Sequence, residues 1–320
     1  MTPESHSGVV LEGPPAGPTG PVAVDVVIVA YNSRDTLRDC VRPLLRLPWV
    51  SVTVVDNASP DGSAAVVSNL PIRIIKSPRN GGFAYGCNLG AAAGAAEFVM
   101  FLNPDARIES ESLHRLVTVL RADPTLGGIG PRTLDDGGQL HRTQRRFPRL
   151  RSTYAQALGL HRVAAFSSWA GEVIQDPAAY TQPGSPDWLS GSCVLMRRAA
   201  LEDVGGMDEG FFLFSEETDL FRRLRGRGWG VRFEPKATAY HQGYGSAPWE
   251  TVTPILVRSR VRYARKHHGG LVAVLEAIGV TIDSLARAAA WVHRPTRRRG
   301  HLAAARAALS SLRRSGGSTR

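Results

Sequence analysis

The carboxylates that could do chemistry fall in three places. Asp105 closes Asn103–Pro104–Asp105, directly after the apolar run Phe98–Val99–Met100–Phe101–Leu102. A short apolar run bounded by turn residues reads as a buried strand of a parallel sheet. Ligands in open α/β sheets bind beyond the carboxyl ends of such strands, so Asp105 stands where a hard metal and a phosphate could meet. The plainer use of Asn-Pro-Asp is to turn the chain before a helix beginning near Ser110. Asp56 closes Val54–Val55–Asp56 and could accept hydrogen bonds from a base or ribose, or simply stabilise the turn Asn57–Gly62. Glu216, Glu217 and Asp219 surround a helix start, with Ser215 placed to cap it. The helix dipole alone favours acids there. The preceding Gly205–Gly206–Met207–Asp208–Glu209–Gly210–Phe211 reads as the wall of an acceptor pocket. His241 ends a strand, followed by the polar run Gln242–Gly243–Tyr244–Gly245–Ser246. Imidazole is a common transition-metal ligand; a core histidine is the alternative.

Gly81 to Gly86 has the G-x-x-x-x-G spacing of a phosphate loop. Cys87 stands where such a loop needs Lys, and Asn88 where it needs Ser or Thr, which argues against a P-loop nucleotidase. No G-x-G-x-x-G follows the first strand, which argues against a dinucleotide enzyme. The glycines either line a nucleotide site or merely permit positive φ and a tight helix start.

These residues need a scaffold, and the hydrophobic pattern supplies one. Strands are predicted over Val22–Ala30, Ser51–Val55, Ile72–Lys76 and the run ending at Leu102. Helices are predicted near Thr36–Leu47, after Ser63 to about Leu70, and from the Gly-rich stretch to Ala96. This alternation predicts a parallel, doubly wound α/β sheet. Polar clusters at Tyr31–Asn32, Asp56–Asn57, Asn80–Gly82 and Asn103–Asp105 then share one edge, as a nucleotide site requires. The second half breaks the pattern. Residues 135–187 read as loop-like, followed by strands at Cys193–Met196, Gly230–Phe233 and Ala237–His241 and a helix at Leu220–Arg225. Nucleotide binding first and acceptor binding second is the expected division.

Composition narrows the class. The chain has 320 residues, 43% of them apolar, enough for a sizeable core. Cys40, Cys87 and Cys193 are odd in number and far apart, which fits a reducing cytosol and neither a disulfide framework nor a zinc cluster. Residues 1–21 show no signal peptide and, being rich in Gly, Pro and Ser, read as a disordered tail. No uncharged apolar run reaches the ~18 residues of a membrane span. The net charge of +11 is uneven: from Leu256 to Arg320 there are 14 Lys and Arg against Glu276 and Asp283, giving +12. The body is nearly neutral, and the basic end suggests an anionic surface as partner.

Taken together, the segments Val27–Ser33, Val54–Ser59, Asn80–Asn88 and Leu102–Asp105 resemble the family 2 inverting glycosyltransferases. Gly191, Gly205–Asp208, Glu216–Leu220 and His241 extend the likeness, which covers about residues 24–267. It looks most like the rhamnosyltransferase branch, whose members use dTDP-rhamnose to extend polyprenyl-linked or cell-wall glycans. The resemblance implies the GT-A fold, a Rossmann-like mixed sheet flanked by helices. It would occupy 22–255, with a nucleotide-sugar half to about 130, an acceptor half after it, and a basic helical segment over 256–320.

The resemblance also implies roles. Asp105 matches the last Asp of the family's metal-binding D-x-D element, with Asn103 in place of the first. A second ligand is then needed for Mg²⁺ or Mn²⁺, and His241 is the candidate. Glu217 matches the general base, which the helix N-terminus and a nearby cation are expected to keep ionised at neutral pH. Asp56 matches the position that reads the nucleobase. Ala30, Tyr31, Asn32, Asn57, Asn80, Gly82 and Asn88 would line the donor site with Asn103 and Asp105. Trp188, Ser190, Gly191, Asp208 and Glu216 fall to the acceptor. Donor variants carrying galactofuranose, glucose or an N-acetylhexosamine, and a non-catalytic adaptor of the same fold, are the alternatives.

Helices are expected from Leu271 past Trp291 and from Leu302 to about Arg314. In the second, Leu302, Ala305, Leu309 and Leu312 share one face, expected to lie on anionic lipid. A solvated face or a dimer helix is the alternative. No aromatic pattern for nucleic acid is present. The expected location is cytoplasmic, peripheral on the inner face of the membrane.

Overall fold

The computed structural model describes residues 10–12, 22–160, 171–243 and 248–313. Its first half follows the alternation. β2 (Val24–Ala30) and β5 (Phe98–Leu102) are buried along their whole length, which is why both read as continuous apolar runs. β3 (Val50–Asp56) and β4 (Arg73–Lys76) complete a parallel block in which β2 pairs with both β3 and β5. Two of the expected helices are shorter than predicted. α1 spans only Leu37–Val41, with a 3₁₀ turn at Leu44–Arg46, and Ser63–Val67 is itself a 3₁₀ turn. Pro43 and Pro48, flanking that turn, stop α1 from propagating to Leu47.

α2 (Phe83–Ala92) lies directly on the sheet. A Cβ on Gly86 would come within 2.6 Å of the Val29 side chain, so this glycine of the phosphate-loop spacing serves close helix–strand approach. After β5 come β6 (Ala106–Ile108), α3 (Ser110–Ala122) and β7 (Leu126–Leu134).

The second half makes the sheet mixed. β8 (Leu140–His141) pairs with β7, while β9 (Gln144–Arg145) and β10 (Trp188–Leu189) form a separate two-stranded ribbon. α4 (Leu150–Ala157) lies within the stretch expected to be loop. β11 (Cys193–Arg197) inserts antiparallel between β5 and β7, then leads into α5 (Arg198–Asp203). α6 (Glu216–Gly226) precedes β12 (Gly230–His241), in which the two strands expected near its ends are fused, with register shifts at Gly230/Val231 and Glu234/Thr238. The order is β1-β4-β3-β2-β5-β11-β7-β12-β6. β1 is Val10–Glu12, which pairs antiparallel with the edge strand β4. Three residues of the expected disordered tail are thus a strand: Val-Leu-Glu meets open backbone groups at an edge. The rest of that stretch lies outside the described residues.

Three helices close the chain: α7 (Trp249–His268), α8 (Gly270–Ala290) and α9 (Pro295–Arg313). The boundary expected after residue 255 falls inside α7, a helix hidden from the sequence by Pro254 within it. Small side chains, among them Ala264, Ala273, Ala277, Ala304 and Ala308, let the three helices approach closely. Among the described residues, no helix is long and apolar enough to cross a membrane.

Candidate active site

The apolar strands end in polar loops along one edge, and those loops meet. At the end of β12, His241 pairs in register with Ala106 of β6, immediately after Asp105. This places His241 Nε2 3.2 Å from Asp105 Oδ1 and 3.4 Å from Asn103 Nδ2. Both Asp105 and His241 are largely shielded from solvent. His141, which sequence reasoning missed, stands edge-on to the His241 ring with centroids 5.6 Å apart. Among the described residues, no three His, Cys, Asp or Glu side chains gather as a complete metal cage. One carboxylate and one imidazole nonetheless suit Mg²⁺ or Mn²⁺, which take much of their coordination from waters and phosphate oxygens.

Beside this pair lies a cavity of about 670 Å³ whose lining includes Asn103, Arg145, Trp188, Ser190, Gly191, Glu216, Glu217 and Arg260. Asn103 therefore belongs to both features. The acceptor candidates Trp188, Ser190 and Gly191 come together here. The Trp188 indole N–H donates to the Arg146 carbonyl, and the Ser190 amide to the Thr143 carbonyl. Arg145, unforeseen from the sequence, holds its guanidinium 5.7 Å from the Trp188 ring centre, and its buried Nε has no hydrogen-bond partner. Only its position directly across the ribbon from Trp188 could have flagged it.

Glu216 and Glu217 enter the cavity because the chain makes an uncommon turn before α6. Phe214 and Ser215 both adopt left-handed backbone conformations, φ 67° and 66°. Strained positions of this kind are held in place by surrounding structure. Ser215 occupies the N-cap position, but its side chain makes no capping bond. Burial pushes the Glu217 carboxyl above the ordinary carboxylate range, against the pull of the helix amides, Arg145 and Gly191. Desolvation here outweighs the lowering that the helix end supplies. Glu216 is pushed well above that range too, by burial and then by the charge of Glu217. One carboxyl oxygen of each lacks a hydrogen-bond partner.

Asp219, third acid of the cluster, faces the other way. It is fully buried, accepts from Arg223, and meets Lys266 and His267 of α7 at 2.7 Å. Burial pushes its carboxyl up, but His267, Lys266 and Arg223 together bring it down to about 2.

The donor candidates divide. Tyr31 is half-buried, and Asn32 is exposed in a left-handed conformation (φ 51°), its amide donating to Ser59 Oγ at 2.8 Å. Asp56 accepts from the Ser59 amide at 2.9 Å; burial raises its carboxyl. Ala30 is buried at the end of β2. Asn57, expected to touch the donor, is instead buried and braces the loops. Its amide donates to Asn80 Oδ1 and to the Gly82 carbonyl, both at 3.0 Å, and its oxygen accepts from Gly81. Asn88 is likewise turned to structural use: it donates to the Met207 carbonyl and Glu209 and accepts from the Met207 amide, each at 2.9 Å. Asp208, expected at the acceptor, accepts from Lys266 at 2.7 Å and Arg262 at 3.2 Å on α7. In each case a strong hydrogen-bonding group at a loop junction is satisfied by the protein itself. Gly82 has φ 91°, and a Cβ there would lie 2.2 Å from the Phe212 carbonyl oxygen, so the Asn80–Gly82 loop and the segment before α6 touch backbone to backbone. The polar run after His241 lies outside the described residues from position 244.

Comparison with known proteins agrees with this architecture. The model of "Glycosyl transferase family 2" matches residues 25–205, and the chain belongs to that family. An N-acetylglucosaminyl-diphospho-decaprenol L-rhamnosyltransferase of Mycobacterium tuberculosis is 30% identical over 240 residues, which are 69% of this chain and 76% of the relative. A poly-beta-1,6-N-acetyl-D-glucosamine synthase of Staphylococcus aureus is 22% identical over 254 residues, 77% of this chain and 54% of that one. Among solved structures, a mannosyltransferase of Pyrobaculum calidifontis, determined with GDP-Man and Mn²⁺, superposes with a TM-score of 0.53 at 15% identity, covering 95% of this chain and 90% of that one. The fold is GT-A, and the protein is a glycosyltransferase.

Proposed function

We propose that this glycosyltransferase is metal-dependent and inverting, and that it moves L-rhamnose from dTDP-rhamnose to a hydroxyl of a polyprenyl-linked glycan. The observation that carries the reading is Asn103, which lies on the cavity holding Glu217 and also beside the Asp105–His241 pair. A base and a clamp for the leaving group are thereby adjacent. The donor would lie along Tyr31, Asp56 and the Asn80–Gly82 loop, with its diphosphate toward Asp105. The acceptor would enter past Trp188 and Gly191.

Glu217 would take the proton from the acceptor hydroxyl as its oxygen attacks the anomeric carbon, while the bond to the diphosphate breaks. A carboxyl raised above its usual range is a better base for this step. A single displacement with one base inverts the anomeric centre. A glycosidase would need two carboxylates flanking the glycosidic oxygen. Asp105 and His241 would hold a divalent cation, which when bound neutralises the departing diphosphate. The rhamnosyl donor and lipid-linked acceptor are supported by the 30% identical relative, and the basic C-terminal segment fits a protein working at an anionic membrane surface.

The test is a panel of nucleotide sugars with Mn²⁺ and a polyprenyl-diphosphate-linked acceptor, followed by nucleotide diphosphate release. Release with dTDP-rhamnose above all others is expected. Preference for a hexosamine or galactofuranose donor would overturn the donor assignment. Binding without release would overturn catalysis.

A further inference from the structure

Among the described residues, nothing covers one long face of α8. Leu271, Val274, Ile278, Ile282 and Leu285 recur at intervals of three and four, so they stand on one side of the helix. They are 74%, 39%, 40%, 42% and 48% exposed. The opposite side, including Ala273, Ala277 and Val280, is buried against α7 and α9. The charged residues of α8 leave the stripe uninterrupted. Glu276 is buried against Arg260, and Asp283 accepts from Arg287 at 2.8 Å. From Leu271 to Leu285 the stripe runs about 21 Å at ~1.5 Å per residue.

Cations gather at the end of this stripe. Arg294 and Arg297 lie over the Trp291 ring, 5.3 and 4.6 Å from its centre, and Arg298 and Arg299 follow, exposed. A charge-free apolar face, with a ring and four arginines just beyond its end, suits an anionic bilayer surface, where apolar side chains meet the acyl boundary and cations meet phosphate. The face on α9 expected for lipid is largely covered instead. Ala305 is buried there, Leu312 packs against the three-helix core, and of the four only Leu309 is well exposed.

We propose that the outer face of α8 docks in the plane of an anionic phospholipid bilayer, with Arg294, Arg297, Arg298 and Arg299 on lipid phosphates. A second copy of the chain fits less well. Five half-exposed side chains on one helix fall short of the roughly 800 Å² per partner of a stable interface. The surface stands independently of the reaction; only its use, holding the cavity near a lipid-linked acceptor, rests on the reading above. The connection is short. On α4, whose Ser152 and Gln156 line the cavity, the Tyr154 hydroxyl donates to the Leu275 carbonyl of α8 at 2.9 Å.

Flotation of the full chain with vesicles of phosphatidylglycerol and phosphatidylcholine, against phosphatidylcholine alone, tests this. At least tenfold preference for the anionic vesicles is expected, weakening as salt rises. Ile278→Asp with Ile282→Asp should lower binding at least tenfold. Arg297→Gln, Arg298→Gln and Arg299→Gln together should lower it on the order of a hundredfold. Circular dichroism should stay unchanged in both. Binding by these variants equal to that of the wild type overturns the proposal, as does wild-type indifference to anionic lipid. So does a dimer, seen by ultracentrifugation, that the Ile variants split. Failure of the donor panel with vesicle binding intact would instead remove the enzymatic reading and leave the docking face standing.

Discussion

His241 Nε2 lies 3.2 Å from Asp105 Oδ1, brought there by the antiparallel register that sets β12 against β6. His241 closes β12 and Asp105 lies in the turn just before β6, so the register of the two strands holds the pair together. The Gln242 amide also donates to the Asp105 carbonyl at 3.1 Å, fixing both sides of the junction. A two-residue clamp of this kind should be sensitive to either member. Asp105→Asn and His241→Ala are each expected to lower nucleotide diphosphate release by a factor on the order of 10² or more, since neutralising a leaving diphosphate is worth several kcal/mol. Circular dichroism should be unchanged. Normal turnover by either variant in EDTA would refute the clamp.

Glu217→Gln keeps shape and removes basicity, so kcat should fall on the order of 10²–10⁴ while the donor KM stays nearly constant. Burial and the neighbouring Glu217 raise the Glu216 carboxyl, and Glu216→Gln mimics its protonated form; its activity should be near wild type. Because the Glu217 carboxyl is raised, kcat/KM should climb with pH through a value above 4.5, the ordinary one for Glu. An inactive Glu216→Gln beside an active Glu217→Gln would move the base one residue.

The same pair sets a stability trend. Raised carboxyl values mean that the folded state binds more protons than the unfolded state above pH 4.5. Stability is therefore lost as pH rises through the raised values. Glu216→Gln should melt at least roughly 2 °C higher than wild type at pH 7, about what 1 kcal/mol gives in a large domain. The gap should close below pH 4. A gap that persists at pH 3.5 would point to altered packing.

Asp219 behaves in the opposite sense. Its carboxyl is held at about 2 against an ordinary 3.8, so its contribution is present above pH 3.8 and lost as pH falls through about 2. Asp219→Asn should cost roughly 2–3 kcal/mol at pH 7 in denaturant melts, with the deficit shrinking on acidification from pH 5 to pH 2. A pH-independent deficit would mean that charge is not the cause.

Gly82→Ala meets two obstacles, a φ of 91° and a Cβ 2.2 Å from the Phe212 carbonyl oxygen. The backbone contact between the donor loop and the segment leading to Glu217 must open. A loss of stability of about 1–3 kcal/mol is expected, together with a weaker donor affinity measured by calorimetry. An unchanged melt would show that the loop relaxes freely.

Much of the first half of the fold was legible because a strand buried on both faces leaves a continuous apolar run, and Asp56, Asn103 and Asp105 follow such runs directly. The braces were not. Asn57, Asn88 and Asp208 occupy loop junctions where a ligand and a neighbouring loop make the same demand on a side chain, and only tertiary geometry separates the two uses. Arg145 was hidden because a two-residue strand has no periodicity to read. The C-terminal apolar stripes posed a further ambiguity. α8 and α9 carry similar spacing, and which stripe is covered depends on how the three helices dock. α7 itself was masked by Pro254.

The salt links of Asp208 and Asp219 to Lys266, and of Asp219 to His267, have a practical corollary for anyone wishing to trade parts between relatives. Asp219 sits on α6 with Glu217, and two of its three partners, Lys266 and His267, sit on α7. The terminal helices are therefore no portable tag. A chimera that inherits one side of this lock without the other would carry a buried carboxylate left with Arg223 alone, in the helix that carries Glu217. Exchange should succeed only when the two sides travel together.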